Sequence, residues 1–411
     1  MTPAEIATIM AELSHSGARD PTKRHESLLS AGKPFTLLAQ LAFPRPLCKS
    51  EHPMTLRVAI VGCGKCAENH AAEIKKLACA QLVAVCDREP LMAEQFSIRH
   101  GVKAWYSDLS RLLSEQTPDV VHVTTPPQSH LDVALQAIAA GCHLFVEKPL
   151  AEDARQAAEL IRVAQANGCK LTVGWTHYFD PAVRDARARI AQGVIGELVH
   201  VEASTAYDLW GNFGVSVLQD RTHWVHRLPG KLFQNNLDHP LAFLSEFVEP
   251  ENCTLVAHAW RGTDSPYPDL LDELRVTMTG ANTSAHLLFS CRARPAGHSL
   301  TLVGSKSTLR VDLINQLVTQ DSVSRLPGPI GRLACALDHT RQLGWQTLHN
   351  LVRFVRSDFQ PLPGLGFLTA EFYKCIESGG EVPISYAHML RVSTLMDRVV
   401  QQLQEIPVMT L

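Results

Sequence analysis

An apolar run gives way to glycines in the stretch Leu56-Arg57-Val58-Ala59-Ile60-Val61-Gly62-Cys63-Gly64-Lys65-Cys66-Ala67. Its first six residues have the length and apolar content of a buried strand, and a helix-like segment follows the glycines. Gly62 permits a tight turn between the two elements, and Gly64 lets another group approach the main chain closely. Ala67 is small enough for the helix to pack on the strand. The stretch therefore predicts a strand–turn–helix unit whose helix N-terminus binds an anion.

A second apolar run, Leu82–Cys86, ends on Asp87, which stands 25 positions after Gly62. At that spacing a carboxylate accepts hydrogen bonds from the ribose hydroxyls of a dinucleotide, whose pyrophosphate would lie on the glycine loop with Lys65 and Cys66. The same carboxylate would repel a 2′-phosphate, so the pair of motifs predicts NAD. Arg88 leaves NADP open because its guanidinium could pair with such a phosphate.

Strand-like and helix-like segments alternate as far as residue 174, which predicts a parallel sheet with right-handed crossovers. The later strands are expected at Val102–Trp105, Val120–Thr124, Leu144–Val146 and Lys170–Val173, with helices near 89–100, 107–115, 129–141 and 152–168. Ligands bind at the carboxyl ends of such strands. Two loops at that edge therefore supply further candidate cofactor-binding residues, namely Thr125, Pro126, His130, Glu147 and Lys148.

The pattern changes after Trp175. A helix is expected over Asp180–Ala191, followed by seven strand-like runs without helices between the later ones, which favours a large, mostly antiparallel open sheet. The strands are expected at Leu198–Thr205, Thr254–Trp260, Glu273–Met278, Ser284–Ser290, Ser299–Val303, Thr308–Leu313 and Leu317–Gln320. One face of such a sheet would pack on helices, including those expected at 367–378 and 386–404. The fold class is thus α/β, an N-terminal Rossmann domain followed by a C-terminal α+β domain.

Length supports the same division, because 411 residues are natural for two domains. We expect a dinucleotide-binding domain over 55–175 and a substrate-binding and oligomerisation domain over 176–411, with a helical insertion at about 323–362. Within it, a basic helix over Arg332–Arg356 would pack on its own domain or on another subunit; a membrane-surface helix is a weaker alternative. Residues 1–54 read as an extension, either disordered or upstream of a true start at Met54.

Composition excludes several classes of function. A net charge of −3 gives no electrostatic reason to expect nucleic acid, and no apolar run approaches membrane-spanning length. Eleven scattered cysteines suit a reducing, cytoplasmic compartment. Cys63-x-x-Cys66 has the spacing of a redox or zinc pair, but it lies in the glycine loop without a second ligand pair, so we expect no metal.

With these motifs in view, the chain resembles the Gfo/Idh/MocA oxidoreductases over about residues 55–320 and 363–405. The resemblance is carried by the glycine loop, by the proline-rich turn ending in His130, by Glu147-Lys148-Pro149 and by the segment Gly230–His239. It implies an NAD(P)-dependent dehydrogenase or reductase of sugars, cyclitols or nucleotide sugars, with His239 as the catalytic histidine. Asn235 stands where many members have Asp. We also expect a homo-oligomer, either a dimer or a tetramer, that forms through the C-terminal sheet.

The residues support this chemistry independently, since oxidising an alcohol requires loss of a hydride and of a proton. A histidine with a pKa near working pH suits the proton, which favours His239, and Lys148 can hydrogen-bond the same oxygen. Asn235 lies four residues before His239 and shares its face if the segment is one helix. Pro240 requires either a kink there or a helix that starts late, at Asp238. Possible substrate contacts are Trp175, His177, Tyr178, Arg221, His223 and Trp224.

Two other functions stay open on the sequence alone. One is a glycoside hydrolase or lyase that oxidises its sugar transiently with tightly held NAD. The other is a non-catalytic sugar or NAD sensor on the same fold, which the presence of both Lys148 and His239 disfavours.

Overall fold

The computed structural model describes residues 55–208, 214, 219–262, 270–356, 359 and 362–404. The chain divides into two units, and the unit that contains both β-sheets comprises residues 48–347 and 361–411. The predicted extension over residues 1–54 lies outside the described residues, and the predicted domain boundary at 175 stays a prediction.

The first sheet is parallel and has the strand order β3-β2-β1-β4-β5-β6. Its strands are β1 Leu56–Val61, β2 Ala80–Cys86, β3 Ala104–Tyr106, β4 Val120–Val123, β5 His143–Val146 and β6 Leu171–Val173. The intervening helices are α1 Lys65–Ile74, α2 Pro90–His100, α3 Leu109–Gln116, α4 His130–Ala139 and α5 Ala154–Ala166. This order reverses direction between β1 and β4, where a doubly wound sheet opens a crevice at the carboxyl ends of its strands. The predicted Rossmann domain is confirmed.

The strands of this sheet are buried on both faces, as expected for a parallel sheet flanked by helices. Ile60 in β1 and Phe145 in β5 have no exposed surface, and Phe96 of α2 packs in the same core. Burial of each such side chain stabilises the fold by about 1.5–3 kcal/mol. The apolar runs were recognisable in the sequence for this reason.

The second sheet has seven strands in the order β13-β12-β11-β7-β10-β9-β8. They are β7 Leu198–Ala206, β8 Thr254–Trp260, β9 Glu273–Thr279, β10 Ser284–Ser290, β11 Gly297–Gly304, β12 Ser307–Asp312 and β13 Leu317–Ser322. Every neighbouring pair is antiparallel except β7 and β10, which run parallel. The predicted, mostly antiparallel open sheet is therefore confirmed.

Helices cover one face of this sheet. They include α6 Pro181–Ala191, α7 Lys231–Asn236, α8 Asp238–Leu244 and α11 Tyr386–Gln404. The helix expected at 367–378, α10 Pro363–Ser378, packs instead on α1 and on the 3₁₀ turn Thr176–Phe179, because its Tyr373 side chain bonds to His122 of the first sheet. Alternate strand residues such as Val276 and Met278 are fully buried, as are Met389 and Val392 on the facing side of α11. Helix α10 begins four residues before its predicted start because Pro363, whose fixed φ suits a first helical turn, opens it.

The predicted insertion helix is present as α9 Gly328–Val355. Two of its glutamine side chains lie along the outer edge of β13 and pair with its main chain. Gln346 exchanges hydrogen bonds with the N–H and C=O of Val318, and Gln342 does the same with Gln320. These amides satisfy edge groups that would otherwise be open to another strand. Among the described residues, no helix is both long and apolar enough to span a membrane.

Candidate functional site

The glycine loop joins β1 to α1 at the crevice. Gly62 has a φ of +97°, and a Cβ there would lie 2.7 Å from the main chain of Thr124 and Thr125 at the end of β4. Gly64, by contrast, faces open space, since nothing lies within 4 Å of a Cβ built on it. Gly64 is also the N-cap of α1 and offers no capping side chain, so no cap side chain stands between the helix N-terminus and a ligand. The loop has the form of an anion cradle.

The two glycines should respond differently to substitution. Gly62→Ala is expected to lower the midpoint of thermal unfolding, because the new Cβ meets main-chain atoms and the left-handed φ strains any other residue. Gly64→Ala should unfold like the unmodified protein but bind NAD more weakly, because its methyl group occupies the space of the pyrophosphate. Calorimetry and NAD titration of both variants check this. Equal thermal stability of the two variants would contradict the geometry.

Asp87 ends β2 beside this loop. One carboxylate oxygen accepts a hydrogen bond from the Cys63 N–H at 2.8 Å, and the other accepts from the Glu89 N–H at 2.9 Å. Each oxygen keeps a further lone pair for a ribose hydroxyl. The Arg88 side chain is 89% exposed and lies 3.9 Å from Glu89.

Cys63 is buried and Cys66 is exposed, and no metal-binding cluster occurs in the described part of the chain.

His130 connects the two loops that follow β4 and β5. Its Nδ1 lies 2.8 Å from the carbonyl oxygen of Pro149, and its Nε2 lies 2.8 Å from that of Thr125. The ring is fully buried, which lowers its pKa. Because both nitrogens face the protein's own main chain, His130 shapes the cofactor crevice through these loops. The Thr125 hydroxyl, which is buried and unpaired among the described residues, is a free polar group at the same turn.

Lys148 leaves β5 toward the second domain. Its Nζ donates to the main-chain oxygen of Asn235 at 2.7 Å and to the Asn235 side-chain oxygen at 3.3 Å. The neighbouring Glu147 accepts from the Lys148 N–H at 3.2 Å. The lysine is thus held at the crevice by α7, an element that lies 87 residues away in the sequence.

The segment around His239 forms two short helices, α7 and α8, with Pro240 in the first turn of α8. The late helix start predicted as one alternative is what the structure has. Asn235 and His239 therefore do not share one continuous helical face, and Asn235 contacts Lys148 instead. The Nδ1 atom of His239 is buried without a partner among the described residues. Its pKa lies well below the usual value because of burial and the nearby His177 and Lys148, not near working pH as expected.

Asp238 is a site residue that the sequence treated only as a helix start. Its side chain is buried, one oxygen accepts from the Trp175 indole N–H at 3.3 Å, and the other is unpaired within the described chain. Burial raises its pKa to about 7, although the charge of Lys148 opposes the rise. Asp238 therefore provides the acidic side chain that is absent at Asn235. The only sequence signal for this role of Asp238 was its position directly before His239.

The candidate substrate residues fall into separate groups. The His177 Nδ1–H donates to Asp180 at 2.9 Å, and the ring centroid of His177 lies 4.8 Å from that of His239 and 5.7 Å from that of His298. Burial and His177 lower the pKa of His298 to about 4. The three histidines line one cavity between α8 and the second sheet. His298, 121 positions from His177 in the chain, was missed by the sequence analysis.

The other candidates have different surroundings. The Tyr178 hydroxyl donates to Glu246 at 3.0 Å, and the Arg187 guanidinium lies 3.6 Å from its ring centre, so Tyr178 is engaged within the second domain. His223 and Trp224 lie on a short 3₁₀ turn whose Trp224 carbonyl accepts from Gln128 at 3.2 Å. That contact places the turn beside the proline-rich loop.

The arrangement fits a dinucleotide. A glycine cradle, a helix N-terminus without a side-chain cap and a carboxylate at the end of β2 lie along the crevice, while Lys148, Asp238 and His239 lie where the second domain meets it. When NAD is bound, its pyrophosphate would rest on the glycine loop and its ribose at Asp87.

Residues 56–175 match the model of an oxidoreductase family with an NAD-binding Rossmann fold. Over 144 residues the chain is 35% identical to D-glucoside 3-dehydrogenase of Escherichia coli (strain K12), covering 35% of this chain and 41% of that relative. Over 154 residues it is 32% identical to scyllo-inositol 2-dehydrogenase (NAD(+)) of Bacillus subtilis (strain 168), covering 36% and 44%. The matched region thus spans less than half the length of these curated relatives.

The fold likeness extends further. The WlbA dehydrogenase of Bordetella pertussis, solved with NADH and UDP-GlcNAcA, superposes with a TM-score of 0.68 at 19% identity, covering 86% of this chain and 99% of that one. At that identity the likeness concerns the fold of both domains.

Proposed function

We propose that this chain is a member of the Gfo/Idh/MocA oxidoreductases and an NAD-dependent dehydrogenase that oxidises or reduces a hydroxyl-bearing carbon of a sugar, cyclitol or nucleotide sugar. The proposal draws its chemistry from the site and its substrate class from relatives that act on a glucoside and on an inositol. Those relatives are dehydrogenases, and no comparison supports the hydrolase or sensor alternatives.

One observation carries the proposal. The Lys148 ammonium, at the carboxyl edge of the Rossmann sheet, donates a hydrogen bond to the main chain of α7. The buried Asp238 carboxyl group and the buried Nδ1 of His239 follow on α8. An amine, a carboxyl group and an imidazole from two domains thus converge where nicotinamide would meet a substrate. A purely structural lysine would not need to be held across a cofactor crevice.

Each residue has a definite part in alcohol oxidation. Bound NAD supplies the acceptor for the hydride. His239, which burial keeps neutral near pH 7, accepts the hydroxyl proton at its unpaired Nδ1. Lys148 donates a hydrogen bond to the same substrate oxygen and orients it. Asn235 holds the Lys148 side chain in place, and Asp238 sets the charge around both groups.

The direct test is a screen of the purified protein with NAD and a panel of sugars, cyclitols and nucleotide sugars, followed by NADH absorbance. We expect at least one compound to give turnover that Lys148→Ala abolishes. The proposal would fail if no compound gave NADH while the protein bound NAD tightly and cleaved a glycoside. That result would indicate a glycoside hydrolase or lyase that oxidises its sugar only transiently.

We propose further that Asp87 sets a preference for NAD over NADP. Its carboxylate lies beside the glycine loop, and the Arg88 side chain points into solvent. Asp87→Ala should narrow the difference between the two affinities, because the repulsion of a 2′-phosphate is lost. Calorimetric titration with both cofactors measures this, with Arg88→Ala as the matched control. A native preference for NADP would mean that Arg88 governs the site.

The assembly and location follow as proposals. We infer a dinucleotide-binding domain over 55–175 and a substrate-binding domain over 176–411 that pairs with a second copy through the uncovered face of its sheet. Support comes from apolar side chains on that face, where Val256 is 59% exposed and Trp260 and Leu288 are partly exposed. A cytoplasmic location is supported by the described cysteines, which are all free thiols.

A further inference from the structure

A chain of buried polar side chains runs away from Glu147 into the core. The His70 Nε2 lies 2.8 Å from a Glu147 carboxylate oxygen, and the His70 Nδ1 lies 2.7 Å from the Nδ1 of His122. The His122 Nε2 lies 2.8 Å from the Tyr373 hydroxyl. His70, His122 and Tyr373 are at most 1% exposed. The chain links α1, β4 and β5 of the first sheet to α10.

The direction of donation follows from the groups themselves. An ionised carboxylate can only accept, so His70 donates from Nε2. Burial and the proximity of His70 lower the pKa of His122, which is therefore neutral and donates from one nitrogen only. We assign one ring hydrogen to His70, on Nε2, so the donor between the two rings is the Nδ1–H of His122. Its Nε2 then accepts from the Tyr373 hydroxyl. Every hydrogen in the chain points toward Glu147.

The carboxylate at the end of this chain is tightly enclosed. Its other oxygen accepts from the Lys148 N–H, and a Cβ on Gly174 would lie 2.7 Å from the oxygen that His70 contacts. Although burial raises the pKa of Glu147, the His70 hydrogen bond and the positive charge of Lys148 hold it below its usual value. Glu147 is thus an ionised group fixed directly before Lys148.

We infer that His70 and His122 are positioning residues that hold the Glu147 carboxylate beside Lys148 through a one-directional chain of hydrogen bonds beginning at Tyr373. The inference rests on the proposed role of Lys148. A fixed carboxylate there keeps the lysine main chain in one place and leaves a negative charge near the ammonium. The Tyr373 end is buried, so the chain orients Glu147 and is not an exit for protons to solvent.

Nitrogen-15 NMR of the histidine rings tests the direction of the chain without any turnover. We expect the full-length protein near neutral pH to hold His70 as the Nε2–H tautomer and His122 as the less common Nδ1–H tautomer. The signals are assigned from their loss in His70→Gln and His122→Gln. An imidazolium at His70, or an Nε2–H tautomer at His122, would overturn the inference. Because no substrate is needed, this result is separate from the success or failure of the proposed dehydrogenase.

Kinetics with an active substrate test the consequence. His70→Leu breaks the chain of hydrogen bonds that holds Glu147. Turnover should fall by roughly tenfold to a hundredfold at nearly unchanged NAD affinity, because the reacting groups are misplaced. His70→Gln should recover much of that loss, because its amide can donate to Glu147 and accept from His122. His100→Gln is the matched control, since His100 pairs at 2.6 Å with Glu68, an α1 residue outside the chain of hydrogen bonds. Equal turnover of His70→Leu and the unmodified protein would refute the positioning role.

Discussion

Lys148→Ala and His239→Ala are each expected to reduce turnover about 10²–10⁴-fold while NAD binds almost normally. Lys148 reaches across the crevice to Asn235, and His239 carries an unpaired nitrogen on the next helix. Neither side chain has a place in the glycine cradle, so cofactor binding should be spared. Steady-state turnover and NAD titration of both variants measure the two effects separately.

The pH profiles should distinguish the two variants. His239 acts as a base only when neutral, so activity falls as the pH drops through its pKa, which burial, His177 and Lys148 place below the usual range. The acidic limb of kcat/KM should therefore lie well below neutrality and should vanish in His239→Ala but persist in Lys148→Ala.

The matched controls are Lys170→Ala and His143→Ala. Lys170 bonds to the main chain of Gly380, and the His143 ring accepts from the Lys170 N–H, both away from the crevice. Both controls should keep full turnover. An unchanged acidic limb in His239→Ala would show that another group takes the proton.

Sequence periodicity predicted most of the elements because each depends on local contacts. Thr254–Trp260 and Ser284–Ser290 have the predicted bounds, since their alternate residues are buried and turn residues flank them. The position of β7 was not predictable. It lies between β10 and β11 and runs parallel to β10, a pairing between segments about 80 residues apart that leaves no local pattern.

The site divides in the same way. The glycine loop, Asp87 and Lys148 belong to short motifs whose backbone geometry dictates the residue types. In the buried chain, His70 pairs with His122, and His122 pairs with Tyr373, which lies 251 positions further along the sequence. Only the folded core brings these side chains within hydrogen-bonding distance, and a histidine inside an amphipathic helix gives no sign of its partner.

The pKa expected for His239 was wrong for a physical reason. The sequence could not reveal that the Nδ1 atom of the ring is buried and that the ring lies close to two other histidines and a lysine. Burial and like charges both disfavour the imidazolium form. The same enclosure raises the pKa of the adjacent Asp238, so one buried site shifts an acid and a base in opposite directions.

Asp238→Asn is expected to stabilise the protein above neutral pH. The pKa of Asp238 rises from 3.8 to about 7 on folding. Between those values the native state holds a proton that the unfolded state has released, so the free energy of unfolding falls as pH rises through this window. The full shift corresponds to roughly 4 kcal/mol, at about 1.4 kcal/mol per pK unit. Asparagine removes the charge and can still accept from the Trp175 indole.

Urea unfolding of both proteins at pH values from about 5 to 8 measures the effect. The difference in the free energy of unfolding should grow with pH in favour of Asp238→Asn, whereas the exposed Asp132→Asn should follow the unmodified protein at every pH. If Asp238→Asn is instead the less stable protein at pH 8, the charge of Lys148 stabilises the ionised carboxylate and folding does not raise its pKa. Asp238 would then serve as a permanent counter-charge for the lysine.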